Sequence, residues 1–195
     1  MSLEFSFPQD LKDLQERARS VAEKGVKDFG SYPDSWINGY SKEFSKVLAS
    51  EGWLGMTWPK EHGGGGRPGI ERMIVAEEMI RVGAPIAASW IADRQMGPSI
   101  CNYGSEDQQK RFLPGMLSGE TTWCIGMSEP NSGSDVVSMR LKADKKGDEY
   151  CLNGTKMWIT NAPNADTFVV YAKTNDKSDS NESKITAFII EKNFP

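Results

Sequence analysis

The stretch LKADKKGDEYCLNGTKMWITN, residues 141–161, decides the fold class. Its apolar residues recur at alternate positions, Leu141 with Ala143, Tyr150 with Leu152 and Met157 with Ile159, which is the period of a half-buried strand. Turn signals separate the three runs: Lys146-Gly147-Asp148, then Asn153-Gly154, a strong hairpin dipeptide. Further on, Phe168 to Tyr171 predict another strand and Ile185 to Ile190 a last one. Between these two lies NDKSDSNESK, residues 175–184, which has no apolar side chain and predicts a solvated, mobile loop.

Upstream of Gly119 the period lengthens. Leu11, Leu14, Ala18, Val21 and Ala22 keep helical spacing after Pro8, with Asp10 available as a cap. Tyr40, Phe44, Val47 and Leu48 mark a second amphipathic stretch that stops at Gly52. The segment ERMIVAEEMIRV is closed by Gly83 and Pro85, and a further helix covers the region from Trp90 to Asn102. Ser105 with Gln108 three residues later is a capping-box signal for a helix through Phe112 and Met116. The connection GWLGMTWPKEHGGGGRP, residues 52–68, is long, Gly-rich and broken by Pro59, the kind of loop that is functional or packed over a site. About five helices followed by a β module predict an α+β protein. The expected architecture is an all-α helical domain over 1–119 and an antiparallel, barrel-like β domain over 120–195.

Composition narrows the function. The 195 residues carry 23 Lys+Arg against 27 Asp+Glu, a formal net charge of -4, which argues against a nucleic-acid binder. No apolar run approaches the ~18 residues of a membrane-spanning helix, and the first ten residues lack a signal-peptide pattern. Three cysteines, Cys101, Cys124 and Cys151, form no C-x-x-C pair, and with a single His a Cys/His metal site is not expected. Free thiols fit a reducing interior, so a cytoplasmic location is expected. His62 lies in the Gly-rich loop with no nucleophile signature beside it, and reads as a solvated loop residue.

Two segments carry the chemistry. Residues 123–135, WCIGMSEPNSGSD, begin as an apolar strand and become a loop dense in backbone N–H groups and short hydroxyls. Such a loop hydrogen-bonds a polar heterocycle or wraps an anionic ligand, and equally serves as a plain exposed turn. It is neither a Walker loop nor a Rossmann fingerprint. In residues 156–161, KMWITN, strand alternation would put Trp158 and Thr160 on one face. An indole beside a hydroxyl suits a flat aromatic ligand, or simply a core Trp with a satisfied Thr neighbour.

Taken together, SEPNSGSD followed by NGTKMWITN resembles the flavin-binding signature of the acyl-CoA dehydrogenase family. GWLGMTWPKEHGGGG resembles that family's helical-domain loop, and GSEDQQKRFLPGMLSGE the helix leading into its middle domain. KGDEYCLNGTKMWITNAPNADTFVVYAKT resembles the first half of the middle domain, with an isovaleryl-CoA or short-chain flavour. The resemblance implies an oxidoreductase that binds FAD and oxidises an acyl-CoA thioester to the trans-2-enoyl-CoA, in fatty acid or branched-chain amino acid catabolism. It implies backbone contacts from Ile125 and Met127 to the flavin, and a hydroxyl contact from Ser128. Gly133 and Ser134 would face the pyrophosphate, Ser134 touching CoA as well. Trp158, Ile159 and Thr160 would line the ring, and Met96 the acyl pocket. Implied partners are an electron-transferring flavoprotein as acceptor and further copies of the complete protein, as a homotetramer or dimer.

The family's C-terminal helical domain, with its catalytic Glu, is expected to lie beyond residue 195. No catalytic residue is assigned, and residues 1–195 alone are not expected to turn over substrate. Glu129 lies inside the loop, though in the family it is not the base. Two other readings remain at this point: an acyl-CoA or nitroalkane oxidase of the same fold, and a non-catalytic fragment that binds flavin or a partner.

Overall fold

The computed structural model describes residues 6–174 and 184–194. The N-terminal residues 1–5 and most of the loop expected over 175–184 fall outside the described residues. The described chain forms two compact units, Met1–Thr122 and Trp123–Pro195.

The first unit is helical. Helix α1 (Gln9–Phe29) buries Ala18 and Ala22, one helical turn apart, and packs along α4 (Gly69–Val82). Pro8, not Asp10, occupies its N-cap, and Asp10 sits in the first turn without a capping bond. The difference is physical: Pro supplies the entry φ and needs no N–H at that position. Between them come the short α2 (Ser35–Asn38) and α3 (Lys42–Ser50), whose first turn is closed by Phe44 N–H donating to Ser41 Oγ at 3.0 Å. Helix α5 (Ala87–Ile91) runs through a wider π turn, Ala92–Met96, into α6 (Gly97–Tyr103). Helix α7 (Glu106–Leu117) begins with the capping box that Ser105 and Gln108 predict. Phe44, Leu48, Trp53, Met56, Val75 and Met79 form the core between these helices.

The loop over residues 52–68 is packed. Trp58 is buried and its Nε1 donates to Asp93 O at 2.9 Å, while Gly66 N–H returns to Trp58 O and Arg67 N–H to Met56 O. His62 lies half-buried on a short 3-10 turn of this loop.

The second unit is a five-stranded sheet of β1 (Trp123–Gly126), β2 (Lys142–Lys146), β3 (Glu149–Asn153), β4 (Thr167–Thr174) and β5 (Lys184–Glu191). It is mixed, where an antiparallel barrel-like sheet was expected. β4 pairs antiparallel with β5 along its full length. On its other edge it pairs in parallel with β1, Trp123 opposite Thr167, and then with β2, Ala143 opposite Thr174. Side-chain alternation has period two in both kinds of pairing, so it cannot distinguish them. The long segments joining β1 and β2 to β4 allow the parallel crossovers.

Lys146-Gly147-Asp148 makes the hairpin joining β2 to β3. Asn153-Gly154 does not make one. A two-residue type I′ turn needs positive φ at both positions, and Asn153 has none. Gly154, at φ +149°, instead lets the chain pass Leu141, whose Cα would lie 2.8 Å from a Cβ there. Residues 156–161 accordingly leave the sheet as an irregular segment with positive φ at Trp158 and Asn161. The shared strand face expected for Trp158 and Thr160 does not exist.

Candidate functional site

The second unit brings its two signature segments side by side. β1 carries Ile125, paired with Val169, and delivers Met127 and Ser128 just past its end. There Met157 N–H donates to Ser128 O at 2.9 Å, so the segment after Gly154 lies against the loop after β1. The chain next turns back on itself: Glu129 and Ser132 exchange backbone bonds of 2.8 and 3.1 Å around Pro130-Asn131. Ser132 Oγ donates to Asp135 O at 2.6 Å, and Ser138 Oγ donates to the Asp135 carboxylate.

Beneath this turn lies an ion pair that sequence reasoning missed. Lys156 Nζ donates to Glu129 Oε1 at 2.9 Å and to Met127 O at 3.0 Å, and rests 3.7 Å from Met139 Sδ. The two side chains are only 8% and 6% exposed. Glu129 Oε2 also accepts from Arg140 N–H at 2.6 Å, and Oε1 from Leu141 N–H at 2.9 Å. Burial pushes the Glu129 carboxyl up, but the Arg140 N–H, the Lys156 ammonium and the Leu141 N–H outweigh it and hold the group below the usual carboxylate range. A signal was present in the sequence: a lysine among Met157, Trp158 and Ile159 needs a partner if that stretch is buried, and Glu129 was the carboxylate on offer.

The other expected site residues fall into two groups. Ile125, Met127, Ser128, Ile159 and Thr160 are half-buried around the junction of the two segments. Gly133, Ser134 and Trp158 are exposed, and Trp158 most of all, at 85%. The hydroxyls of Ser128, Ser134 and Thr160 have no hydrogen-bond partner among the described residues. A solvent-exposed indole and uncommitted hydroxyls are groups that a flat, polar ring could use. The chemistry of these residues is compatible with a flavin. Among the described residues no group of three His, Cys, Asp or Glu could hold a metal ion.

Met96 lies in the first unit, at the end of the π turn, and is 4% exposed. The same turn carries Asp93, whose Oδ1 accepts from Gly55 N–H at 2.7 Å and whose carboxyl is pushed up by burial. Asp93, Arg72, Arg94 and Trp90 line a small cavity of about 40 Å³, with the Arg94 guanidinium 4.0 Å from the Trp90 ring centre. Met96 does not line it. No helix among the described residues is long and apolar enough to cross a membrane.

Known proteins resemble this chain over most of its length. Residues 8–120 match the family model "Acyl-CoA dehydrogenase, N-terminal domain", and residues 124–195 match "Acyl-CoA dehydrogenase, middle domain". The chain is 45% identical over 155 residues to the mitochondrial isovaleryl-CoA dehydrogenase of Pongo abelii, covering 79% of this chain and 37% of that one. Butyryl-CoA dehydrogenase from Megasphaera elsdenii superposes with a TM-score of 0.78 at 30% identity, over 99% of this chain and 51% of that one. A glutaryl-CoA dehydrogenase from Mycobacterium smegmatis, solved in complex with FADH2, gives a TM-score of 0.77 at 28% identity, over 97% and 47%. The chain thus spans between about a third and a half of the length of the relatives it matches.

Proposed function

Since the chain belongs to the acyl-CoA dehydrogenase family, we propose that it serves the FAD-dependent α,β-dehydrogenation of an acyl-CoA thioester to the trans-2-enoyl-CoA. One observation carries the reading: the bond from Met157 N–H to Ser128 O seats the two flavin-like segments against each other, with Trp158 open to solvent beside them. Residues 1–119 would form the helical domain and 120–195 part of the middle β domain.

Bound FAD would supply the hydride acceptor for the substrate β carbon. The chain's own residues would hold and orient it. Ile125 and Met127 would offer backbone groups to the ring, Ser128 and Thr160 hydroxyl donors, and Trp158 with Ile159 a flat apolar wall. Gly133 leaves open space around its Cα, so an anionic group can approach the backbone there, and the neighbouring Ser134 hydroxyl is free to reach the pyrophosphate and the CoA portion. Met96 would border the acyl chain.

Glu129 is excluded as the base that removes the α proton. Its carboxylate is buried, ion-paired and held by two backbone N–H groups, whereas a base needs access to substrate and a pKa near neutrality rather than a depressed one. We assign the base to no residue of this chain. A small branched or short acyl group is the favoured substrate, on the likeness to isovaleryl- and butyryl-CoA dehydrogenases. Reduced flavin would hand electrons to an electron-transferring flavoprotein, and the working protein would be a homodimer or homotetramer. Free Cys101, Cys124 and Cys151 suit a reducing compartment, which the cytoplasm and the mitochondrial interior named for several relatives both provide.

The test is a titration of the purified protein with FAD, followed by quenching of tryptophan and flavin fluorescence. Saturable binding that Trp158→Ala weakens supports the reading, and absence of binding overturns it. Anaerobic addition of isovaleryl-CoA to the flavin-loaded complete protein should bleach the flavin, whereas rapid peroxide formation in air would point to an oxidase.

A further inference from the structure

We infer that Lys156 and Glu129 form a positioning pair that sets the flavin-facing loops, although neither side chain lies on the exposed face with Trp158. The inference rests on the flavin reading above and adds two residues to it.

The pair ties four segments together. The Lys156 ammonium holds the carbonyl of Met127 at the end of β1 and the carboxylate of Glu129 in the turn. That carboxylate in turn holds the N–H groups of Arg140 and Leu141, where the chain enters β2. The fourth segment is the one carrying Met157, Trp158 and Thr160, to which Lys156 itself belongs. The lysine stem runs along Gly126: a Cβ there would stand 3.4 Å from Lys156 Cγ, in ordinary contact, and 3.3 Å from Val170 Cγ2.

Stability alone is a poor reason for such a pair. Well-packed apolar residues of similar volume usually do as well or better in a buried site, because both charges lose their hydration. Apolar residues cannot orient a carbonyl, however. Met127 O receives its bond from Lys156, and Met127 and Ser128 are the residues proposed to present the β1 end to the ring. The pair acts through those neighbours, so it is a positioning element and not a catalytic one.

The experiment compares wild type with Lys156→Met, Glu129→Gln, Lys156→Arg and the double variant Lys156→Met/Glu129→Gln, in the whole chain. The readouts are FAD affinity, melting temperature without FAD, and hydrogen exchange at the amides of Arg140, Leu141 and Met157. Each single neutralisation leaves one buried charge unpartnered and should lower the melting temperature. The double variant removes that imbalance and should regain most of the melting temperature. Its FAD affinity should still be about tenfold below wild type, equivalent to about 1.4 kcal/mol, with faster exchange at the three amides. Lys156→Arg, which keeps a donor and a charge, should bind FAD better than Lys156→Met. A double variant that recovers stability and full FAD affinity together would reduce the pair to a structural contact and overturn the inference. Wild type that binds no FAD, with exchange still accelerated in Lys156→Met, would instead overturn the flavin reading and this inference with it.

Discussion

Gly97 opens α6 directly after the π turn that carries Asp93 and Met96, and Gly97→Ala sets two effects against each other. Its backbone is helical, at φ -58° and ψ -54°, so alanine fits without strain and would gain about 1 kcal/mol of helix propensity. The added Cβ, however, would lie 1.9 Å from Trp58 Cζ2, 2.2 Å from Cη2 and 2.6 Å from Cε2. Trp58 is 2% exposed and anchored through Nε1 to Asp93 O at 2.9 Å, so the ring has no free direction in which to retreat. Overpacking of this kind costs about 1–3 kcal/mol. Pulling the indole off Asp93 O strands a buried donor for about another 1–3 kcal/mol. The clash outweighs the propensity, and a net loss of about 1–5 kcal/mol is expected. Gly69→Ala is the control: at the first position of α4 a Cβ meets nothing within 4 Å, and the change should stabilise by about 0.4–1 kcal/mol. Urea unfolding followed by tryptophan fluorescence reads both variants. Adding Trp58→Phe should recover part of the Gly97→Ala loss, since the smaller ring vacates the contested volume. If Gly97→Ala proves as stable as Gly69→Ala, the reasoning from the close approach is wrong.

Trp158→Ala should weaken FAD retention while leaving the melting temperature nearly unchanged, because truncating an exposed side chain moves stability by only about ±0.5 kcal/mol; loss of fold without loss of flavin would contradict its placement. In the complete protein, Thr160→Ala should slow flavin bleaching and Ser134→Ala should raise KM for acyl-CoA, and unchanged stopped-flow traces would remove either residue from the site. The lowered Glu129 pKa contributes stability that is fully present above the unfolded-state value of about 4.3 and is lost as pH falls through the folded value. Melting temperature should therefore drop more steeply below about pH 4.3 in wild type than in Glu129→Gln, and parallel curves would refute the assignment. Cys124, wholly buried and pushed up to about 12 by that burial, should be alkylated by iodoacetamide far more slowly than half-buried Cys151, as peptide mass spectrometry can check.

The helices were legible because their signals are local: the Ser105–Gln108 capping box, the Gly83 stop and the alanine stripe of α1 each act within a turn or two. The hairpin at Gly147 was legible for the same reason. What escaped depends on distant partners. The parallel pairing of β4 with β1 and β2 leaves no mark on an alternating pattern. Gly154 looked like a hairpin glycine, but its role is set by Leu141 across the fold. At the site, the segments themselves stood out by composition, whereas the link between Glu129 and Lys156 needed the sheet to bring the two residues together. An alternating pattern over residues 156–161 gave Trp158 and Thr160 a common face, whereas the segment is irregular, with positive φ at Trp158 and its side chain 85% exposed.

The shared edge of β4 bears on how this chain is made. Trp123 is 1% and Cys124 0% exposed, yet their strand partners are Thr167 and Phe168, so β1 has no sheet to join until the ribosome has released the chain well beyond Phe168. At a synthesis rate of about 5–20 residues per second, this apolar strand waits for seconds with its edge open. Parallel pairing across such a sequence separation is also intrinsically slow to close. During that interval the nascent chain presents what a holdase chaperone captures, and rare codons or a pause ahead of Thr167 would lengthen the exposure. Yield in expression should accordingly respond to translation speed and chaperone supply.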